Sequence, residues 1–251
     1  WNMTSSEDLR LFGNEEKYVL EVLRSEFRQC KGGGAGMMGR LESKFSETFN
    51  MPYAISHVNG TCTMHSLLEA IGIQPGDEVI VPPLTMASTT FVVMQANATP
   101  VFADVDPDTF QISPTSIREC VTEKTKAIIT VSLFGLSPDM DPIMELANEK
   151  GIFVIEDNAE AYLAYYKGKL VGTIGHASSF SMQSSKHITA GEGGMVLTAD
   201  PDIAVRVRRV NSLGYAGVGA SKGKITKSDI QDPLYERHVC MGWNYRMPDL
   251  C

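Results

Sequence analysis

Short apolar segments alternate with amphipathic ones between residues 53 and 157, and this alternation constrains the fold more than any other feature. It predicts strands at Tyr53–His57, Glu78–Val81, Pro100–Val105, Ala127–Leu133 and Ile152–Ile155. It predicts helices at Cys62–Ile71, Ala87–Ala96 and Asp141–Lys150, and a further helix that opens at Ser113-Pro114. We therefore expect a three-layer α/β/α fold with a mostly parallel mixed sheet.

The pattern changes after residue 157. We predict a hairpin at Tyr165–Val171, strands at His176–Met182 and Met195–Thr198, and a helix at Pro201–Leu213. The polar, glycine-containing stretch Gly214–His238 is predicted to be a long loop. Its lysines could meet a nucleotide diphosphate or could simply be solvated. They are Lys222, Lys224 and Lys227.

Composition excludes several classes of protein. The formal net charge is -8 and no basic block stands out, so we expect no nucleic-acid partner. No apolar run is long enough for a membrane helix, and the first residues show no signal-peptide pattern, so we expect no membrane association. The five cysteines form no CxxC pair, which favours a reduced, cytoplasmic protein without a metal site.

The segment from Gly34 to Gly39 satisfies the GxGxxG pattern of dinucleotide-binding loops. That fingerprint requires a preceding strand, whereas the residues before this segment have the apolar periodicity of a helix. The sequence therefore favours a flexible hinge or lid here over a nucleotide site.

Two segments at predicted strand ends could bind ligand groups. Gly60 permits a tight turn before a helix, and the free N–H groups of that helix make a phosphate-sized anion site. A plain helix cap by Thr61 is the alternative. Asp157 follows a buried strand, at the carboxyl edge of the sheet where α/β folds place ligands. A cap of the next helix is the alternative there.

Lys186 ends a stretch of small and hydroxyl residues that starts at Ser178, and Gly191 to Gly194 then form a turn that reverses the chain. An unpartnered lysine in such surroundings is expected to be partly desolvated and therefore nucleophilic. A solvated surface lysine is the alternative, because that is the usual environment of lysine.

As an ordered set, these motifs resemble the sugar-nucleotide aminotransferases of the DegT/StrS type, within the fold-type I pyridoxal-phosphate enzymes. The resemblance extends from about Gly32 to the last residue. The stretches that match are Gly60-Thr61, Gly76–Pro82, Asp104–Pro107, Ile155–Asp157, Lys186–Gly194 and Asn244–Met247. The resemblance implies a fold-type I large domain that binds pyridoxal 5'-phosphate.

The resemblance implies two catalytic residues. Lys186 is the implied Schiff-base lysine, whose freed amine moves a proton between substrate and cofactor, and Asp157 is the implied partner of the pyridine nitrogen. The implied reaction transfers an amino group from L-glutamate to a keto-sugar nucleotide. Alternatives are a keto-cyclitol acceptor, a pyridoxamine-phosphate-dependent sugar dehydratase and an inactive cofactor-binding paralogue. Some dehydratases of this type have His in place of the lysine, so Lys186 favours transamination.

The resemblance also implies a set of cofactor-binding residues. They are Gly60, Thr61, Cys62, Met86, Asp157, Glu160, Ser181, Lys186 and Asn244. Met86 stands where an aromatic residue often stacks on the ring, and Glu160 stands where a Gln usually lies near the phenolic oxygen. The phosphate is implied to bind at Thr61, Cys62 and Ser181. Asn244 is implied to reach the phosphate of a neighbouring subunit, which predicts a homodimer with composite active sites.

The same resemblance divides the chain. We expect an N-terminal helical segment over residues 1–31, a cofactor-binding large domain over residues 32–240, and the start of a connection over residues 241–251. Members of the family continue into a smaller C-terminal domain, of which the sequence shows no trace, and we expect this domain to be missing here.

Overall fold

The computed structural model of the protein describes residues 13–24, 36–220, 228 and 231–251. The helices are α1 (Glu15–Arg24), α2 (Gly36–Phe49), α3 (Gly60–Ala70), α4 (Ser88–Gln95), α5 (Pro114–Cys120), α6 (Met140–Lys150) and α7 (Pro201–Asn211). The strands are β1 (Tyr53–His57), β2 (Glu78–Val81), β3 (Thr99–Phe102), β4 (Thr125–Val131), β5 (Phe153–Asp157), β6 (Tyr165–Tyr166), β7 (Lys169–Leu170), β8 (Ala177–Ser181) and β9 (Gly194–Thr198).

A seven-stranded sheet in the order β1-β9-β8-β5-β4-β2-β3 forms the centre of the molecule. All neighbouring pairs are parallel except those of β9, which runs antiparallel to both β1 and β8. The predicted mostly parallel mixed sheet is therefore confirmed, and β6 and β7 form the predicted hairpin. Parallel strands end at the same edge, so β2, β4, β5 and β8 bring their carboxyl ends together.

Helices cover both faces of the sheet, which confirms the three-layer prediction. The alternation of side chains along β4 shows why: Ile129 packs in one core cluster, and Ile128 packs in the cluster on the opposite face. Helices α3, α4 and α7 contribute to the first cluster, and α5 and α6 to the second. Helix α2 adds aromatic side chains over β1, β8 and β9.

Local signals explain where several helices begin and end. Ser113 caps α5, with Pro114 at the first helical position, and Asp200 caps α7 in the same manner. Helix α6 ends at Gly151, whose φ of 67° lies in the left-handed region that glycine tolerates. These ends agree with the sequence-based predictions to within one or two residues.

The structure corrects the predicted hinge for Gly36 to Gly39, the described part of that segment. Residues from Gly36 to Gly39 form the first turn of α2, because the carboxylate of Asp249 accepts the Met38 N–H at 3.0 Å and caps the helix. Residues 25–35 lie outside the described residues. The loop predicted from Gly214 has paired ends, since Tyr215 and His238 form an antiparallel bridge. Residues 221–227, which include the three loop lysines, also lie outside the described part.

A buried ion pair joins α2 to α7. The Arg208 guanidinium donates to both carboxylate oxygens of Glu42, at 2.9 and 3.0 Å. The same carboxylate accepts the N–H and hydroxyl of Ser56 in β1, and Arg208 also donates to the Ala54 carbonyl. Every partner of this pair is therefore hydrogen-bonded, which is the condition for burying charge.

In the described part of the chain, none of the helices has both the length and the apolar character that crossing a bilayer requires.

Candidate active site

The candidate site lies at the carboxyl edge of the sheet. Asp157 is the last residue of β5, and β8 runs parallel to β5, so the loop that follows β8 leaves from the same edge. This loop contains Lys186, and the antiparallel β9 returns the chain from it. The segment between β2 and α4, which contains Met86, reaches the same edge. Topology thus brings together three of the predicted site residues.

Asp157 is buried and holds two hydrogen bonds. Its Oδ1 accepts the Ala159 N–H at 3.2 Å, and its Oδ2 accepts the hydroxyl of Thr89 at 3.2 Å. Burial raises the pKa of the Asp157 carboxyl to about 6, against the lowering effects of these two donors and of the Lys186 charge. Near neutral pH the carboxylate is therefore ionised and would pair strongly with a cationic N–H.

Lys186 lies beside Glu160. Its ammonium group donates to the Glu160 carboxylate at 3.4 Å, and the other oxygen of that carboxylate accepts the Phe134 N–H at 3.1 Å. The expectation of an unpartnered lysine is therefore wrong, although Lys186 is largely shielded, with 21% of its side chain exposed. Phe134 adopts a left-handed φ of 57°, rare for a residue other than glycine, and this turn directs its N–H to the acid.

The start of α3 is the segment for which a phosphate site is predicted. Asn59 caps the helix, not Thr61, and its side chain accepts the Cys62 N–H at 2.8 Å. A phosphate could therefore bind the Cys62 amide only by displacing the Asn59 side chain. The other N–H groups of the first turn of α3 lie at the helix end, where they have no partner within the helix. Burial raises the pKa of the Cys62 thiol to about 11, so the thiol stays neutral.

Close packing explains Gly60 better than a tight turn does. A Cβ at Gly60 would lie 2.8 Å from the Cβ of Ser181, so only glycine lets the α3 terminus approach the end of β8. Gly194 has a similar role on β9, because a Cβ there would lie 2.5 Å from the Asn59 carbonyl oxygen. The structure therefore places the first turn of α3, which includes Thr61 and Cys62, next to the end of β8 at Ser181.

Met86 and Asn244 have exposed positions. Met86 is 77% exposed, and its carbonyl accepts the Thr89 N–H at the start of α4. Asn244 is exposed on the segment after His238, and it forms an antiparallel bridge with Ser212. That segment is held by a buried Met247 and by the bond from the Val58 N–H to the Tyr245 carbonyl.

These groups fit pyridoxal 5'-phosphate. A buried carboxylate for the ring nitrogen, a shielded lysine amine for the aldehyde, and a helix N-terminus for the phosphate lie at one sheet edge. The chain also matches the DegT/DnrJ/EryC1/StrS aminotransferase family over residues 12–251. It belongs to this family.

Individual relatives agree with the family match. A GDP-perosamine synthase of Escherichia coli O157:H7 is 41% identical over 241 residues, which are 96% of this chain and 61% of the relative. An L-glutamine:2-deoxy-scyllo-inosose aminotransferase of Streptomyces fradiae is 41% identical over 175 residues, 70% of this chain and 41% of the relative. A crystallised aminotransferase of Psychrobacter cryohalolentis superimposes with a TM-score of 0.83 at 35% identity, and the match covers 96% of this chain and 59% of the other.

The DegT/DnrJ/EryC1/StrS fold places residues at this site that sequence reasoning missed. Thr89 and Ala159 hold the Asp157 carboxylate, Asn59 caps α3, and Phe134 holds Glu160. Thr89 lies near the start of the predicted helix at Ala87–Ala96, but no local pattern marks it as a partner of Asp157. The other contacts are made by backbone groups or across distant strands, and a single sequence does not reveal them.

Proposed function

We propose that this protein is a pyridoxal-phosphate-dependent aminotransferase that transfers the amino group of L-glutamate to a keto-sugar nucleotide. The proposal rests chiefly on the convergence of Asp157, Lys186 and Glu160 at one sheet edge. The cofactor, when bound, supplies an electron sink for the carbanion chemistry of transamination. An inactive cofactor-binding paralogue is disfavoured, because both catalytic side chains are retained.

Each side chain has a role that follows from its environment. The ionised Asp157 would hold the proton on the ring nitrogen, since the two charges face each other out of water. The Lys186 amine, once freed, would take and return the proton at the substrate carbon. Glu160 keeps this amine within reach by a charged hydrogen bond. Ser181 and the first residues of α3 would fix the phosphate.

The relatives support the proposed acceptor and indicate which donors to test. A GDP-sugar synthase among them supports a keto-sugar nucleotide, whereas an aminotransferase for an inosose supports a keto-cyclitol as the second candidate. The latter relative is named for L-glutamine, so both glutamate and glutamine are donors to test. We also propose a cytoplasmic homodimer in which Asn244 completes the partner's site. Lys186 disfavours the dehydratase alternative.

The first experiment is a visible absorption spectrum of the full-length protein with pyridoxal phosphate, before and after L-glutamate or L-glutamine is added. We expect a yellow band that the true donor bleaches. In Lys186→Ala this covalent band should be absent, whereas the exposed Lys169→Ala should retain it.

The outcomes separate the possibilities. A band that the donor bleaches, followed by its return on addition of a keto-sugar nucleotide but not of a keto-cyclitol, supports the proposal in full. Return with the cyclitol alone would assign the second candidate. A folded full-length protein that forms no band with the cofactor would overturn the aminotransferase assignment.

A further inference from the structure

We propose that Thr89 is a positioning residue that fixes Asp157 and Met86 relative to each other, an inference that rests on the proposed function. Asp157 and Met86 lie on different segments of the chain, the end of β5 and the turn before α4. Under the proposed function one faces the ring nitrogen and the other packs against the ring. Their relative placement would therefore set where the ring sits.

Thr89 connects the two segments by two hydrogen bonds. Its N–H donates to the Met86 carbonyl at 3.1 Å, and its hydroxyl donates to Asp157 Oδ2 at 3.2 Å. Its side chain is fully buried, so water does not compete for these bonds. Movement of the Met86 turn would thus strain the bond to Asp157, and rotation of the carboxylate would strain the turn.

The neighbouring hydroxyl of Thr85 supports the bond from the Thr89 hydroxyl to Asp157. Thr85 Oγ1 lies 3.2 Å from Thr89 Oγ1. A hydroxyl has one proton, and Thr89 uses its own for Asp157, so Thr85 must donate to Thr89. The two hydroxyls therefore form a short chain with both protons directed toward the carboxylate, and each bond in such a chain strengthens the next.

The charges around Asp157 make the loss of this bond measurable. Lys186 from the β8–β9 loop favours the ionised carboxylate, whereas Glu160 from the segment after β5 opposes it. The Ala159 N–H holds the other oxygen. Because Asp157 is buried, removal of the Thr89 hydroxyl leaves one oxygen without its donor and raises the pKa of Asp157 further.

The test is Thr89→Val, which removes the hydroxyl and keeps the shape of the side chain. The Asp157 carboxyl would be titrated in the cofactor-free full-length protein by isotope-edited infrared spectroscopy, with Asp157→Asn to assign the band. We expect the pKa of Asp157 to rise by about one unit, a tenfold gain in proton affinity. Thr89→Ser should restore the wild-type pKa, and Thr90→Val, one residue along α4, should leave it unchanged.

An unchanged pKa of Asp157 in folded Thr89→Val would overturn the proposal. If that variant does not fold, Thr85→Val replaces it and should produce a smaller rise, and an unchanged value there would count against the proposal equally. The titration needs no cofactor, so its failure is distinct from a failure to form the yellow band. In the protein with bound cofactor, Thr89→Val should also weaken cofactor binding about tenfold. It should also move the pH dependence of the visible spectrum to a higher pH.

Discussion

Asp157 is a buried carboxyl whose hydrogen-bond donors only partly offset the cost of ionising it. Two donors and one lysine favour its charge, and burial together with Glu160 opposes it, with the result that its pKa is about 6. A carboxyl group in an unfolded chain titrates near 3.9. Asp157 is therefore harder to ionise in the folded protein than in the unfolded chain. This difference lowers the stability of the folded protein once the pH rises above about 4.

This imbalance predicts the effect of Asp157→Asn on the cofactor-free protein. The raised pKa means that stability falls as the pH increases from about 4 to about 6, and Asn removes this loss. The variant should therefore be more stable than the wild type by up to about 3 kcal/mol above pH 6, with no such gain near pH 4. Urea unfolding across this pH range measures the difference, while aminotransferase activity should be lost.

The exposed Asp108→Asn is the control for the loss of one carboxylate at the surface. A gain in stability for Asp157→Asn that is equal at pH 4 and pH 8 would contradict the assignment of the effect to buried ionisation.

At the scale of helices and strands, the sequence predicts elements well where a single period persists. β1 and β2 have the predicted bounds, and α3 and α6 differ from prediction by one or two residues. Errors arise where a distant group decides the structure. The carboxylate of Asp249 caps α2 from the other end of the chain, and it converts a predicted hinge into the first turn of a helix.

The candidate site also combines features that a local pattern predicts with features that distant contacts decide. Lys186 and Asp157 are recognisable because they match a known order of motifs, and Lys186 also because no other cation precedes it in its stretch of small and hydroxyl residues. The partner of the lysine, the true cap of α3 and the role of Gly60 depend on how strands lie next to one another. No local pattern contains that information.

The ion pair between α2 and α7 gives a prediction at this scale. Glu42→Gln should destabilise the protein by about 3 kcal/mol, because it leaves the Arg208 charge buried without its partner. Equilibrium unfolding in urea measures the change. Lys44→Gln, in the exposed pair with Glu47 on the same helix, should cost less than about 0.5 kcal/mol. Equal costs for the two substitutions would contradict the buried role.

On the scale of the molecule, the described residues include the proposed catalytic side chains, and the proposed dimer would complete the site. Asn244 is exposed, and the segment around it is hydrogen-bonded to Val58, the residue after β1. The chain spans about three fifths of the length of its sugar-synthase relative, 61%. Activity tests therefore belong to the full-length protein.

Composite sites predict that two inactive variants restore each other. Lys186→Ala and Asn244→Ala should each be nearly inactive, but unfolding and refolding them together should recover about one quarter of the wild-type activity. Half of the dimers are then mixed, and each mixed dimer has one site with both residues intact. Turnover of the mixture measures this recovery. If Asn244 acts within its own subunit, the mixture will be as inactive as its parts.

The antiparallel strand β9 has a consequence for how the protein is made. It is the only bonded neighbour of β1 within the described sheet, and about 140 residues separate the two strands along the chain. At a synthesis rate of about 5–20 residues per second, β1 waits roughly 7–30 s for its partner to be translated. Throughout that interval the ribosome-bound chain presents an unpaired strand edge. Chaperones cover such edges, and neighbouring nascent chains can pair with each other through them.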